Sequence, residues 1–360
     1  MPTRIASIGT SVPPTSLSQV DLRDFFAAQP GRDRLARRYI SAAFDAAGID
    51  SRSTAISGLG GTPDGVFVAE DGSLLRPTTG VRNALYREAA PRLAAEAARS
   101  AVAEAAISAA DITHLISVSC TGFFAPGIDY HLIRDLGLRP TVERSHLGFI
   151  GCAAALPALR LATQITQAQP DAVVLVVCVE LCSLHVRESS DPEQIVASSV
   201  FADGAAAAVV TADEQVGRSG GLLLDRFASA LTDEGESDMV WTIGDHGFEM
   251  RLSAEVPRII GREIRDAVDK FLGTEEPPDT WAVHPGGRSV LDRVENGLNL
   301  PAEALAASRT VLRDCGNMSS ATILFILRRM MADPTVTGSI AALAFGPGLT
   351  VESALLRKAL

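Results

Sequence analysis

The chain has 360 residues, 47% of them hydrophobic, which suffices for one large or two medium domains with a substantial core. A formal net charge of −11 argues against a nucleic-acid partner, and no apolar run approaches the length of a membrane span. The cysteines lie at 120, 152, 178, 182 and 315; an odd number with no apolar export segment at the start predicts reduced thiols in the cytoplasm.

In chain order, Met1–Gly9 reads as a first strand. Residues 21–48 read as helical and carry Arg32, Arg34, Arg37 and Arg38. A solvated helix face accounts for these arginines. The sharper reading is a basic rim that meets an anionic ligand such as a phosphorylated cofactor. Residues 51–82, rich in Gly, Ser, Thr and Pro, read as loop. Pro91 to Ile107 reads as an alanine-rich helix that starts at its proline, with Arg92 and Glu96 at ion-pair spacing. Leu115–Ser119 is a short buried strand ending at Cys120, and Pro126-Gly127-Ile128-Asp129 opens another helix.

Gly148-Phe149-Ile150-Gly151-Cys152 then turns into a run, Ala153 to Leu159, in which every side chain is apolar or small. A helix without a polar face belongs inside a core. Cys152 thus sits where a buried helix begins, and unpaired N–H groups and the helix dipole there favour a thiolate. The plainer reading is a small buried hydrophobe, as most free cysteines are. Pro157 fits only a first helical turn. Ala172–Val179 is a nearly continuous β-branched run, a strand covered on both faces. Cys178 and Cys182 lack a second Cys or His pair at zinc spacing and read as a strand and its end. Strands alternating with helices predict an α/β layered protein.

Phe201-Ala202-Asp203-Gly204 is a turn entering the strand Ala205–Val210. Residues 212–221 are polar and glycine-containing, which places a boundary between residues 1–215 and 216–360. Beyond it come a helix at 254–272 and a strand, Trp281–Val283, ending at His284-Pro285-Gly286-Gly287. Gly316-Asn317-Met318-Ser319-Ser320 opens the apolar helix Ala321–Leu327. A strand, the turn Phe345-Gly346-Pro347-Gly348 and a last strand, Leu349–Leu356, close the chain. Gly151-Cys152 and Gly316-Asn317 each open an apolar helix that leads to a buried strand and a Phe-x-x-Gly turn. That weak internal repeat predicts two similar halves whose helix starts meet at one site.

A cysteine nucleophile needs a base and donors for developing negative charge. His284, at a strand end, and Asn317, at a helix start, supply those residue types. Alone, His284 reads as a satisfied core histidine and Asn317 as an N-cap. Together with Cys152 and the wall formed by Gly346, Pro347 and Gly348, they form a constellation.

The motifs at 148–152, 201–204, 284–287, 316–320 and 345–348 resemble, in this order, those of the type III polyketide synthases, the chalcone and stilbene synthase relatives of the thiolase superfamily. The resemblance runs from about residue 80 to the end. It implies a thiolase-like five-layered αβαβα fold of two similar halves, a homodimer, and acyl-CoA and malonyl-CoA as substrates without a metal or redox cofactor. The resemblance matches Cys152 to the acyl-carrying nucleophile, His284 and Asn317 to its catalytic partners, and Phe201 to an aromatic gatekeeper. A thiolate at Cys152 paired with imidazolium at His284 is the implied resting state. Cys120 stands where plant members carry a threonine, Met250 where they carry a second gatekeeper phenylalanine, and Trp241 and Cys182 where the family lines its cavity. These departures, in an arginine- and alanine-rich chain, imply a bacterial-type member making a resorcinol, pyrone or hydroxynaphthalene product. Two rivals share the trio. One is a ketoacyl synthase that starts fatty acid synthesis from a carrier protein; the other is a cysteine thioester hydrolase. A non-catalytic scaffold is the third reading, which the intact trio opposes.

Overall fold

The computed structural model describes residues 2–217, 221–274 and 276–359. The first half runs β1 (Arg4–Ser11), β2 (Thr15–Ser18), α1 (Gln19–Ala27), α2 (Arg34–Ala46), β3 (Ser51–Thr54), α3 (Thr79–Glu104), β4 (His114–Ser119), α4 (Ile128–Leu136), β5 (Glu143–Gly148), α5 (Ala155–Ala168), β6 (Val173–Leu181), α6 (Pro192–Val200) and β7 (Asp203–Thr211). The second runs β8 (Leu222–Leu231), β9 (Met239–Gly244), β10 (Gly247–Leu252), α7 (Val256–Leu272), β11 (Thr280–Val283), α8 (Arg288–Leu298), α9 (Ala306–Cys315), α10 (Thr322–Ala332), β12 (Ser339–Gly346) and β13 (Thr350–Lys358). Met1 of the expected first strand and residues 218–220 of the stretch read as a boundary lie outside the described residues.

Strand order in the main sheet is β11-β12-β13-β8-β1-β7-β6-β4-β5. The order is palindromic about its centre: β1-β7-β6-β4 on one side repeats as β8-β13-β12-β11 on the other. In both halves the outermost matching pair is parallel, β4 with β6 and β11 with β12, and the next pairs inward are antiparallel. At the centre β1 and β8 pair at Arg4–Leu223 and Ile5–Leu222, a narrow seam between two sheet portions. The internal repeat expected from the two Gly-opened helices is this symmetry.

Three apolar cores separate five layers. Along β6, Val173, Leu175, Val177 and Val179 face α3 in the first core. Val174, Val176 and Cys178 face the central helices α5 and α10 in the second. That alternation is the period of a strand buried on both faces. The same central core holds Ile340, Ala342 and Ala344 of β12, so α5 and α10 lie between the two sheet portions. Ala341, Leu343 and Phe345 turn to the third core, against Ile259 and Ile264 of α7 and Leu291 of α8. The layers are therefore α3, sheet, α5 with α10, sheet, and α7 with α8. Each fully buried Val or Leu contributes about 2 kcal/mol, enough to hold two buried helices without a polar face.

Several local expectations are corrected. The helix read over 21–48 is two helices, broken at Pro30 and restarted by Asp33, whose side chain accepts from Ala36 N–H at 2.7 Å. The loop read over 51–82 contains β3 and the start of α3. Pro91 does not begin a helix; α3 starts at Thr79 and carries Pro91 inside it, buried against the core. A proline there costs about 3 kcal/mol of helix stability, which the buried packing of this 26-residue helix offsets. Arg92 pairs backward with Glu88 at 2.9 Å, while Glu96 accepts from Ser11 Oγ at 2.7 Å. The alanines of α3 allow close approach to β1: a Cβ on Gly9 would stand 2.2 Å from the Ala97 carbonyl oxygen. The hairpin β9–β10 and helices α8 and α9 are additions to the elements read from the chain. Among the described residues, no helix is long and apolar enough to cross a membrane.

Candidate active site

Cys152 lies in a short 3₁₀ turn, Gly151–Ala153, between β5 and the start of α5 at Ala155. Pro157 falls in the first turn of α5, where its missing N–H is tolerated. Cys152 is half-buried and lines the main cavity. Its thiol is pushed up to about 11, first by burial and then by the carboxyl of Glu180; hydrogen bonds from Ser319 and Asn317 pull it partly back. The expectation that a helix start favours a standing thiolate is corrected here. One turn of backbone dipole is outweighed by desolvation of the sulfur.

Asn317 is tied to Phe201 by its backbone. Its N–H donates to the Val200 carbonyl at 2.9 Å, and its carbonyl accepts from Ala202 N–H at 2.8 Å. Its side-chain Oδ1 accepts from Ser319 N–H at 2.9 Å, an Asx turn just ahead of the 3₁₀ turn Ser319–Ala321 that precedes α10. The Nδ2 amide donates to the Gly286 carbonyl at 3.4 Å. Asn317 is therefore not the N-cap its position predicts, which is Met318; its Oδ1 supports the turn from one residue earlier, and its amide lies beside the Cys152 sulfur.

His284 follows β11, and its N–H continues the strand pairing by donating to the Leu343 carbonyl at 2.8 Å. The side chain is 1% exposed, yet neither ring nitrogen makes a hydrogen bond among the described residues. Buried polar atoms are nearly always paired, so the reading of a satisfied core histidine fails. Burial alone pushes the imidazole down to about 3. Neither a lone imidazolium nor a lone thiolate is favoured at this depth, so the resting ion pair implied by the resemblance has burial against it on both partners.

The cavity encloses about 910 Å³ of atom-free space, its open mouth included, and its walls are mostly apolar. Cys120, Cys182, Phe201, Trp241, Met250 and Pro347 line it together with Cys152; Gly346, Gly348, His284 and Asn317 are not among the lining residues. Phe26, Gln194 and Ser198 are shared with a smaller cleft that reaches Arg32, and Arg32 is shared with a surface pocket formed by Arg34, Arg37, Arg38 and Ser41. A continuous set of lining residues thus leads from Cys152 to the arginine cluster.

Comparison with known proteins decides the family. Residues 2–214 match the chalcone and stilbene synthases, N-terminal domain, and residues 227–359 match their C-terminal domain. The chain belongs to the chalcone and stilbene synthase family. It is 33% identical to an alpha-pyrone synthesis polyketide synthase-like protein, Pks18, of Mycobacterium tuberculosis, over 98% of this chain and 90% of that one. It is 34% identical to bisdemethoxycurcumin synthase of Oryza sativa subsp. japonica, over 98% and 91%. The C-terminal type III polyketide synthase domain of Steely1 from Dictyostelium superposes with a TM-score of 0.93 at 29% identity, covering 100% of both chains. The protein is thus a type III polyketide synthase with a thiolase-like fold, a transferase whose family performs decarboxylative condensation of acyl-CoA and malonyl-CoA.

Several residues of the synthase's site were not singled out in its sequence. Glu180 of β6 is fully buried. Its Oε2 accepts from Cys120 N–H at 3.1 Å and Thr121 Oγ1 at 2.8 Å, and its Oε1 accepts from Ser320 Oγ at 2.6 Å and the Cys120 thiol at 3.4 Å. Burial raises its pKa. Burial and the adjacent Glu180 push Cys120 well above the usual thiol range, so Cys120 is a neutral donor in the wall. The available signal was a lone carboxylate inside Val173–Leu181, because a charge in a strand covered on both faces is the informative exception. His185 is a second such residue. Its Nδ1 accepts from Phe248 N–H at 2.9 Å, which leaves Nε2–H to donate to the Thr121 carbonyl at 2.8 Å. Its ring stacks on Phe248 at 4.3 Å. Trp241 Nε1–H donates to the Cys120 carbonyl at 2.7 Å. The β9–β10 hairpin, unpaired with the main sheet, is latched onto the Cys120–Thr121 segment by these two side chains.

Proposed function

We propose that this synthase loads an acyl-CoA starter on Cys152, extends it repeatedly with malonyl-CoA, and cyclises the chain to a resorcinol, pyrone or hydroxynaphthalene. The observation that carries this reading is the Asn317 side chain. Its amide lies beside the Cys152 sulfur and donates to the carbonyl of Gly286, two residues beyond a buried His284 whose ring nitrogens have no partner among the described residues. His284 accepts the thiol proton as Cys152 attacks the starter thioester, and coenzyme A leaves. Malonyl-CoA then loses carbon dioxide, and the electron pair of the broken C–C bond becomes an enolate whose charge rests on the thioester oxygen. Donors from His284 and the Asn317 amide hold that charge. The enolate carbon attacks the acyl-enzyme, expels the Cys152 thiolate, and the cycle repeats.

Phe201, in the cavity lining, is the proposed gatekeeper, and Cys120, Cys182, Trp241, Met250 and Pro347 shape the growing chain. Arg32, Arg34, Arg37 and Arg38 are the proposed contacts for the coenzyme A phosphates. The name of the mycobacterial relative favours a pyrone among the three product classes. The proposed assembly is a homodimer in the cytoplasm. The test is mass spectrometry of the enzyme with labelled malonyl-CoA and acyl-CoA starters from short to long. Acyl mass on the Cys152 peptide and aromatic or pyrone products containing several malonyl units are expected, and both vanish in folded Cys152→Ala. Free acid without malonyl consumption points instead to a hydrolase. A single condensation that requires carrier protein points to the fatty acid rival.

A further inference from the structure

Arg52 of β3 lines the same cavity as Cys152 and is 3% exposed. Its Nη1 donates to the Phe201 carbonyl at 2.6 Å, and its guanidinium lies over the Phe44 ring at 5.6 Å. Nε and Nη2 are buried and make no hydrogen bond among the described residues. Those two atoms share one edge of the guanidinium plane, and their N–H bonds run side by side, the arrangement that fits both oxygens of a carboxylate. Asp203 is the anion that acts on Arg52, but its oxygens are already engaged: Oδ1 by Ser183 N–H at 2.7 Å, Oδ2 by Ala55 N–H at 2.7 Å and Ser183 Oγ at 2.5 Å. Burial lowers Arg52 only to about 9, so it keeps its charge at neutral pH.

A buried cation with a free donor edge in an apolar cavity calls for an anionic ligand. Under the proposed function, the coenzyme A phosphates stay at the surface arginines and the starter acyl group is uncharged. The malonyl carboxylate is the charged group that must enter. We propose that the Nε/Nη2 edge of Arg52 receives the carboxylate of the malonyl extender before decarboxylation. This rests on the polyketide reading above and adds a binding residue to it.

The chemistry sets the sign of the effect. The ion pair exists while the carboxylate does. When the C–C bond breaks, carbon dioxide leaves uncharged, the electron pair passes to the enolate held elsewhere, and Arg52 keeps its proton. The contact thus stabilises bound malonyl-CoA more than the transition state, so it lowers KM without raising kcat. Anchoring at Phe201 aims the fork beside the gate, and CoA thioesters without a carboxylate gain nothing from it.

The test is steady-state carbon dioxide release from malonyl-CoA by Arg52→Gln and Arg52→Lys, with starter loading on Cys152 followed by mass spectrometry. In Arg52→Gln, KM for malonyl-CoA rises by about tenfold or more, kcat stays within about twofold or increases, and starter loading is unchanged. Arg52→Lys falls between, because an ammonium keeps the charge and loses the fork. An unchanged KM in both variants overturns the proposal, as does a fall in kcat at constant KM, which marks a purely structural tether of Phe201. If Arg52→Gln does not fold, the wild type and Arg52→Lys are compared with a non-decarboxylating malonyl-CoA analogue and its methyl ester. The wild type should prefer the free carboxylate by about tenfold and Arg52→Lys by much less; equal inhibition of the wild type by both overturns the proposal. A wild type that neither loads starter nor releases carbon dioxide defeats the polyketide reading instead.

Discussion

Pro347 closes directly over Gly151. A Cβ on Gly151 would stand 2.4 Å from Pro347 Cδ and 2.9 Å from Cγ, and Gly151 has φ of +71°. The turn before the cysteine and the Gly-Pro-Gly turn near the chain end, far apart in sequence, are two sides of one contact. Gly151→Ala meets both a ring that cannot yield and a backbone angle that disfavours a side chain. The expected cost is about 1–3 kcal/mol of stability, together with displacement of Cys152. Thermal unfolding and the rate of acyl loading check it; an unchanged loading rate in Gly151→Ala would show that the contact does not position the thiol.

What the sequence shows of this site is what is local in the chain. The apolar run after Cys152, the β-branched run of β6 and the Gly-opened repeat each lie within one segment, so periodicity reveals the two central helices and the doubly covered strand. Arg52, Glu180 and His185 were not found because their partners, Phe201, Ser320 and Phe248, lie on other segments and no spacing rule connects them. Pro91 misled for a related reason. A proline is a start signal on local grounds, and the burial that carries it inside α3 is tertiary. The bond of Asn317 to Ser319 N–H is local, two residues away, although the N-cap of that turn is Met318. The reach of Asn317 to the Cys152 sulfur is not legible.

The pH dependence of Cys152 reactivity tests its link to His284. Burial drives the thiol up to about 11 and the imidazole down to about 3, so each charge needs the other. Any proton acceptance by His284 lowers the apparent pKa of the thiol, and its removal moves that value upward toward the burial-dominated one. In His284→Ala, alkylation of the Cys152 peptide by iodoacetamide should begin at higher pH than in the wild type. At pH 7.5 it should be slower by about tenfold or more, because less of the sulfur is thiolate there. Superimposable profiles would remove His284 as proton acceptor.

Arg34, Arg37 and Arg38 are exposed, so their contribution is screened and ionic-strength dependent. Charge reversal of the three to Glu should raise KM for acyl-CoA substrates by about tenfold at low salt, with the gap narrowing as salt rises. Thioesters of a short pantetheine arm without phosphates should be used as well by the variant as by the wild type. Equal losses on both substrate types would place the coenzyme elsewhere or indicate a folding defect.

His185 couples two cavity walls, with Thr121 on one and Phe248 on the other. His185→Phe can keep the stack on Phe248 but loses both hydrogen bonds, at about 1–2 kcal/mol of stability. The β9–β10 hairpin carrying Trp241 and Met250 then loses its His185 tether and keeps those from Trp241 to the Cys120 carbonyl, from Arg187 to the Phe248 carbonyl at 2.8 Å and from Gly247 N–H to Thr79 Oγ1 at 2.8 Å. The expected outcome is a broader distribution of product chain lengths with carbon dioxide release per turnover retained, read by liquid chromatography and mass spectrometry. An unchanged product set would show that the remaining tethers, from Trp241, Arg187 and Thr79, suffice to hold the wall.

Asn317 has separable duties. Oδ1 supports the turn before α10 from the residue preceding its N-cap by accepting from Ser319 N–H, and Nδ2 is the amide donor. Asn317→Ala removes both, so loss of activity alone would be ambiguous. Asn317→Asp keeps an acceptor for the turn and removes the donor. Both variants should lose malonyl-CoA decarboxylation by about 10²–10³-fold, the loss seen when an oxyanion donor is deleted. Acyl loading on Cys152 should persist, because attack on the starter uses His284 as the base. Asn317→Ala should in addition lose about 1 kcal/mol of stability that Asn317→Asp keeps. Carbon dioxide release by folded Asn317→Asp at the wild-type rate would assign Asn317 to the turn alone, leaving the enolate to His284.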